Sequence, residues 1–132
     1  MSPMISFDLF STQDGRPIYM QIILFVKRGI VSGIVSDGDE LPSRRVLSAL
    51  LGINPNTVQK AYRMLEDEGL IESRSGAKSY MSLSDIAVER VRSELMETDI
   101  LSVINALKQA GMSKTEALRL IDKNWDGRNE AK

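Results

Sequence analysis

Apolar residues recur at intervals of three and four from Pro17 to about Ser32, which is the spacing of one face of an α-helix. Proline suits the first turn of that helix, and Gly33 suits its end. A turn-rich loop over 36–43 should follow, and the Ser43 hydroxyl is placed to cap a second, shorter helix. The predicted apolar stripe of this second helix is Val46, Leu47, Leu50 and Leu51.

A third helix should begin at Asn54 and Pro55, which read as an N-cap followed by proline in the first turn, and it should end at Gly69. Two helices joined by a short turn that contains Gly52 form a helix-turn-helix pattern. After Gly69, the segments LIES and KSYMSL flank RSGA, which predicts two short strands joined by a tight turn. The position of this hairpin, directly after a helix-turn-helix, makes it read as a wing.

The rest of the chain predicts two more helices. One runs from Ser84 to about Ala110, and the other follows Ser113, which forms a capping box with Glu116. The fold class is therefore mainly α with a small β wing: a winged helix-turn-helix over 1–83, followed by a two-helix dimerisation segment over 84–132. Dimerisation is expected because the long helix carries more apolar surface than one short helix can cover. The candidate dimerisation residues are Val91, Leu95, Ile100, Leu101, Ile104, Leu107, Leu118, Ile121 and Trp125.

Composition narrows the possible chemistry. The chain has neither Cys nor His, which excludes thiolate chemistry, imidazole bases and the usual zinc ligands. No apolar run approaches the roughly 20 residues that a membrane helix needs. We therefore expect a cytoplasmic protein with no membrane partner and no cofactor.

The net charge of −1 gives no overall basic excess. From Pro42 to Arg63, however, the chain carries a charge of +4 and has no acidic residue. A nucleic-acid function would therefore depend on this local charge.

The third helix separates its residues into two faces at about 100° per residue. Its apolar side is Val58, Ala61, Tyr62 and Leu65, and its polar side is Asn56, Gln59, Lys60 and Arg63. Asn and Gln can bind adenine through two hydrogen bonds, and Arg and Lys bind guanine or phosphate. The same side chains also suit an ordinary solvated face, so both interpretations stay open at this point.

Cations near the ends of the other elements fit the same interpretation. Arg44 and Arg45 begin the second helix, where a cation opposes the helix dipole and a phosphate would relieve it. A solvated arginine pair is the alternative. Lys78, near the wing turn, could reach the DNA backbone, although a charged hairpin tip also serves solubility.

Taken together, these residues make the chain resemble the GntR superfamily of bacterial regulators, in particular its YtrA-like subfamily. The resemblance is carried by LPS-x-R-x-L, which includes Ser43, and by NPNTV-x-x-AY-x-x-LE-x-EGLI. It implies that Arg45 contacts DNA from the helix before the recognition helix. It also implies recognition roles for Asn56, Thr57, Gln59 and Lys60. Gly76 matches a wing glycine, whereas Lys78 replaces a second glycine that is usual there.

The function expected from the sequence is transcription regulation by a homodimer that binds double-stranded DNA at an inverted-repeat operator, as a repressor. Any small-molecule effector is unknown. One alternative is a winged-helix module that binds another protein. An enzyme is a second alternative, which the lack of His, Cys and a phosphate-binding loop disfavours.

Overall fold

The computed structural model describes residues 4–12, 15–74 and 78–127. The elements are α1 (Ile18–Ser32), β1 (Glu40–Leu41), α2 (Arg44–Leu51), α3 (Pro55–Asp67), β2 (Ile71–Ser73), β3 (Ser79–Met81), α4 (Asp85–Gln109) and α5 (Lys114–Asn124). The mainly helical fold with a small β wing is confirmed, and the five predicted helices are present, with the predicted N-caps at Ser43, Asn54 and Ser113.

The caps explain why the helices begin where they do. The Ser43 hydroxyl accepts a hydrogen bond from the Val46 amide at 3.1 Å, and the Asn54 side chain accepts one from the Asn56 amide at 2.8 Å. Between these two helices, Gly52 adopts the left-handed conformation with φ 68°, which is cheap only for glycine. The tight turn between α2 and α3 is therefore encoded locally.

The sheet has the order β1-β3-β2, and both pairings are antiparallel. The prediction that residues 36–43 form only a loop is wrong, because β1 lies within that range. Glu40 pairs with Tyr80, and Leu41 pairs with Ser79. The segment before α1 extends this edge, since the Ile5 amide donates to the Glu40 carbonyl at 2.8 Å.

Two carboxylates in the loop before β1 accept hydrogen bonds from backbone amides. The Asp37 carboxylate accepts a hydrogen bond from the Leu83 amide at 2.7 Å. The Asp39 carboxylate accepts one from the Ser36 amide at 2.8 Å. These carboxylates therefore satisfy backbone donors where the chain turns.

The core forms where α1 packs against α3. Ile22 and Val26 of α1 are fully buried, as are Val58 and Leu65 of α3. Tyr62 is also fully buried, and its hydroxyl donates to the Pro42 carbonyl at 2.7 Å. The apolar face predicted for the third helix is thus confirmed.

Glu68, at the end of α3, joins three helices. The Lys27 ammonium of α1 lies 2.9 Å from a Glu68 carboxylate oxygen. The Arg90 guanidinium of α4 donates to the Glu68 carbonyl at 3.0 Å. The end of α3 and the beginning of α4 are therefore held at the same point.

The N-terminal segment adds a small aromatic cluster to the core. The rings of Phe7 and Phe25 stack with their centroids 4.9 Å apart, and Phe10 meets Phe25 edge to face at 5.5 Å. Phe7 is buried. Such pairs add to the free energy gained by burial alone, so residues before α1 contribute to the fold.

The apolar stripe predicted for α2 is only partly correct. Leu47 is fully buried, but Val46 and Leu50 are exposed. The buried side of α2 continues through Ser48, whose hydroxyl donates to the Arg45 carbonyl at 3.1 Å. Four apolar residues on a short helix cover a wide arc, and tertiary packing decides which part of that arc is buried.

The chain divides by packing into two compact units, Met1–Ser93 and Glu94–Lys132. The division lies inside α4, whereas the sequence placed a boundary between 83 and 84. The start of α4 is capped by the Ser84 hydroxyl, which accepts from the Ala87 amide at 3.1 Å.

The contact of Tyr62 with Pro42 gives a prediction about stability. Tyr62→Phe should lower the free energy of unfolding by about 1–3 kcal/mol at pH 7, because the buried Pro42 carbonyl loses its donor. Tyr80→Phe, at a half-buried position on β3, is the control, and its effect should stay within about 0.5 kcal/mol. Urea unfolding of the three proteins measures both effects.

Tyr62→Phe should also change how the free energy of unfolding depends on pH above pH 9. Burial raises the pKa of the Tyr62 hydroxyl well above its usual value, and the nearby Arg44 charge opposes this shift in part. Because the unfolded chain loses this proton near pH 10, the contribution of Tyr62 is complete below pH 10 and declines above it. The difference in stability between wild type and Tyr62→Phe should therefore shrink by about 1.4 kcal/mol from pH 9 to pH 11. A difference that is independent of pH would contradict this account.

Candidate nucleic-acid interface

The exposed face of α3 presents side chains that can bind DNA. Asn56, Lys60 and Arg63 are exposed, and Thr57 and Gln59 are half-buried beside them. Asn56, Lys60 and Arg63 lie opposite the buried face of α3, whereas Thr57 and Gln59 lie at its two margins. Core packing therefore fixes the direction in which the three exposed side chains project.

Arg44 and Arg45 begin α2, which packs against α3. Arg45 is exposed. Arg44 is half-buried, and its guanidinium lies 5.5 Å from the centre of the Tyr62 ring. The Arg44 Nε atom is buried and has no hydrogen-bond partner among the described residues. Ser43 serves as the cap of α2, which is a structural role that the sequence also predicted.

A contact between α1 and α3 was missed by the sequence analysis. The Lys60 ammonium lies 4.1 Å from the centre of the Tyr19 ring, well inside the range of a cation–π interaction. Tyr19 is the second residue of α1 and is half-buried. The only signal in the sequence is an aromatic residue at the start of a helix, which does not identify its partner.

The wing carries further cations. Lys78 is exposed, and its carbonyl accepts a hydrogen bond from the Arg74 amide at 2.9 Å. Arg74 lies 4.3 Å from the centre of the Tyr80 ring and pairs with Glu72 at 2.8 Å. Gly76 lies outside the described residues.

The sequence segment that supplies these residues is basic. The segment from Pro42 to Arg63, which forms α2, the turn and most of α3, carries four cations and no acidic residue. Such a patch attracts a polyanion even when the whole protein is nearly neutral.

The candidate dimerisation residues divide into three groups by their exposure. Val91 and Leu95 are buried within the single chain, so their assignment to a free surface is corrected: together with Ala87 they form a buried stripe with a spacing of four. Leu107 is half-buried. The exposed members are Ile100, Leu101, Ile104, Leu118, Ile121 and Trp125. Three apolar residues that were not among the candidates are also exposed: Met96, Val103 and Leu120.

Two stripes on α4 therefore point in different directions. At about 100° per residue, Ala87, Val91 and Leu95 lie on one side, and Ile100 and Ile104 lie on nearly the opposite side. Ile100 is 56% exposed and Ile104 is 40% exposed. On α5 no residue is buried, and the Trp125 side chain is 78% exposed. None of the helices in the described part of the chain is long and apolar enough to cross a membrane.

Comparisons with known proteins agree with this architecture. The family model of bacterial regulatory proteins, gntR family, matches residues 18–80. The HTH-type transcriptional repressor YtrA of Bacillus subtilis (strain 168) is 42% identical over 97 residues, which are 74% of this chain and 70% of that protein. The HTH-type transcriptional regulator YhcF of the same organism is 29% identical over 115 residues, which are 87% of this chain and 95% of that protein.

Solved structures show the same fold over most of the chain. A GntR family transcriptional regulator from Listeria monocytogenes has a TM-score of 0.74 and 28% identity, and the match covers 85% of this chain and 98% of that one. YtrA from Sulfolobus acidocaldarius, a GntR-family transcription factor, has a TM-score of 0.51 and 30% identity, with coverage of 96% and 100%.

These relatives are named as transcription regulators, which sets the enzyme alternative aside. The matched region contains α1 to α3 and most of the wing, and the longer matches continue through the helices that follow. The chain belongs to the GntR family of bacterial transcription regulators and is YtrA-like.

Proposed function

We propose that this regulator is a repressor that binds an inverted-repeat operator in double-stranded DNA as a homodimer. The observation that carries the proposal is the exposed face of α3, where amide and cationic side chains stand together opposite a fully buried face. An α-helix fits the major groove of B-DNA, where amide and guanidinium groups distinguish the base pairs. A protein that binds chromosomal DNA in a bacterium works in the cytoplasm.

A division of labour follows from the positions of the side chains. Arg45 lies at the start of α2, away from the middle of α3, and suits a phosphate contact that positions the protein. Asn56 and Gln59 are uncharged and lie on α3, so they suit base edges. Phosphate contacts set register without carrying sequence information, whereas base contacts discriminate.

The exposed apolar surface of Glu94–Lys132 supports the dimer. Its residues recur at helical spacing on α4 and α5, and the chain itself leaves them exposed. Contiguous exposed apolar surface marks an interaction site in most proteins. A second copy is a suitable occupant, because paired winged helices match two half-sites related by two-fold symmetry.

The proposal of repression rests on similarity. The Bacillus subtilis relative at 42% identity is named a transcriptional repressor. A winged-helix module that binds another protein is the competing function. The two differ in their response to salt, because DNA binding through several phosphate contacts weakens steeply as salt rises.

The division of labour predicts different effects for two substitutions. Arg45→Ala should weaken binding to all duplexes and flatten the salt dependence by about one unit of log–log slope for each phosphate that Arg45 neutralises. Gln59→Ala should reduce the preference for selected over scrambled DNA by about 1–3 kcal/mol per half-site, provided that Gln59 makes two hydrogen bonds to one base. Fluorescence anisotropy at several salt concentrations measures both quantities.

Duplexes recovered from a random pool by the wild-type protein serve as the selected DNA, and scrambled versions serve as the control. Identical effects of the two substitutions on selected and scrambled DNA would reject the division of labour. Binding that is insensitive to salt would reject the DNA-binding surface itself.

The dimer predicts a second experiment. Replacing Ile100 and Ile104 together with Asp should give monomeric protein, because two charges would be buried in the proposed interface without partners. Sedimentation velocity at micromolar concentration measures the change. A monomeric wild type would overturn the dimer.

A matched control lies on the same helix. Ser102→Asp with Ala106→Asp introduces the same charges with the same spacing of four, on the other side of α4, at positions that are also exposed. The control should stay dimeric. If it dissociates as completely as the Ile100 and Ile104 variant, the effect comes from charge alone and the interface is misplaced.

A further inference from the structure

We propose that Tyr19 is a positioning residue for DNA recognition, because its ring holds the Lys60 ammonium in place on the exposed face of α3. The inference rests on the proposed function, in which that face contacts DNA. It assigns a role in DNA binding to Tyr19, which lies on α1 and acts through the Lys60 side chain of α3.

The geometry satisfies the requirements of a cation–π interaction. The Lys60 ammonium lies 4.1 Å from the Tyr19 ring centroid, and the interaction is significant within about 6 Å. The ring is half-buried at the start of α1. Since α1 packs against α3, the relative position of ring and lysine is fixed by the core.

Holding Lys60 has a consequence for binding. A free lysine side chain has many rotamers, and immobilising it on DNA costs about 0.5–1.5 kcal/mol. A side chain that is already held when the protein is free loses less freedom on binding. Tyr19 therefore increases the contribution of Lys60 to affinity without a contact of its own.

The ring leaves the ammonium available to DNA. An ammonium group has three N–H donors, and the ring occupies one side of it. Lys60 is exposed, so its other donors remain open to a phosphate or a base. The ring should therefore strengthen DNA binding and should not compete with DNA for the lysine.

Tyr19 can be tested without removing the core. The other cation in this region that lies over a tyrosine is Arg44, at 5.5 Å from the Tyr62 ring. Tyr62 is fully buried and bonded to Pro42, so truncating it would also remove packing from the core. Tyr19 is half-buried, and a leucine in its place keeps an apolar side chain against α3.

The decisive experiment is a double-mutant cycle with Tyr19→Leu and Lys60→Met, measured by anisotropy on duplexes that the wild-type protein selects from a random pool. Tyr19→Leu should weaken binding about two- to fivefold for each bound winged-helix unit, because Lys60 would then lose more of its rotamer freedom on binding. In the Lys60→Met background, the same substitution should have no effect. Tyr19→Phe, which keeps the ring, should bind like wild type.

Several outcomes would overturn the proposal. Equal weakening by Tyr19→Leu in both backgrounds would show a general structural role, and tighter binding would show competition for the lysine. Weakening by Tyr19→Phe would assign the effect to the hydroxyl. If Lys60→Met itself leaves binding unchanged, the DNA-binding face of α3 is misassigned and the proposed function fails with the inference. If Lys60→Met weakens binding but Tyr19→Leu does not, the inference is wrong and the proposed function is unaffected.

The contact between Tyr19 and Lys60 can also be tested by NMR on the free protein, without the Tyr19→Leu variant. The Lys60 ε-methylene protons should resonate upfield of their usual position in wild type and in Tyr19→Phe, because the ring lies beside them. Ordinary lysine shifts at this position in the wild type would overturn the contact.

Discussion

The burial of one face of α3 is the constraint on which the rest of the structure depends. Val58, Ala61 and Leu65 are removed from water against α1, and Tyr62 is buried with them. A buried hydroxyl without a partner would cost about 1–3 kcal/mol, so the bond from Tyr62 to Pro42 also joins α3 to the residues just before α2. Rotation of α3 about its axis would break this bond and expose the core. The opposite face is thereby held in one direction, toward solvent.

The proposed DNA-binding surface is held in place by that packing. Lys60 lies over the Tyr19 ring of α1, and Arg44 lies over the Tyr62 ring of α3. Glu68 connects the end of α3 with Lys27 and Arg90, so the first turns of α4 share the same framework. The second unit begins at Glu94, and within it α4 carries exposed apolar residues at Ile100 and Ile104. One helix thus serves the core of the winged domain at its start and a proposed partner at its end.

Features encoded in neighbouring residues could be predicted from the sequence. The caps at Ser43 and Asn54, together with Gly52, specify α2, the turn and α3 within a few residues. By contrast, β1 is a two-residue strand that exists because Tyr80 and Ser79 pair with it, and its local sequence is typical of a turn. The contact of Tyr19 with Lys60 joins residues that are distant in the chain. Val91 and Leu95 illustrate a further limit: the spacing of apolar residues shows that a face will be covered, but not by what.

The central claim is that paired α3 helices read an inverted repeat, and selection of bound duplexes from a random pool tests it most directly. The account predicts recovered sequences with two inverted half-sites whose centres lie about 10–10.5 base pairs, or one more full turn, apart. The half-site sequence should change in the selection with Gln59→Ala. Recovery of no enriched sequence, or of a single half-site without symmetry, would contradict the account.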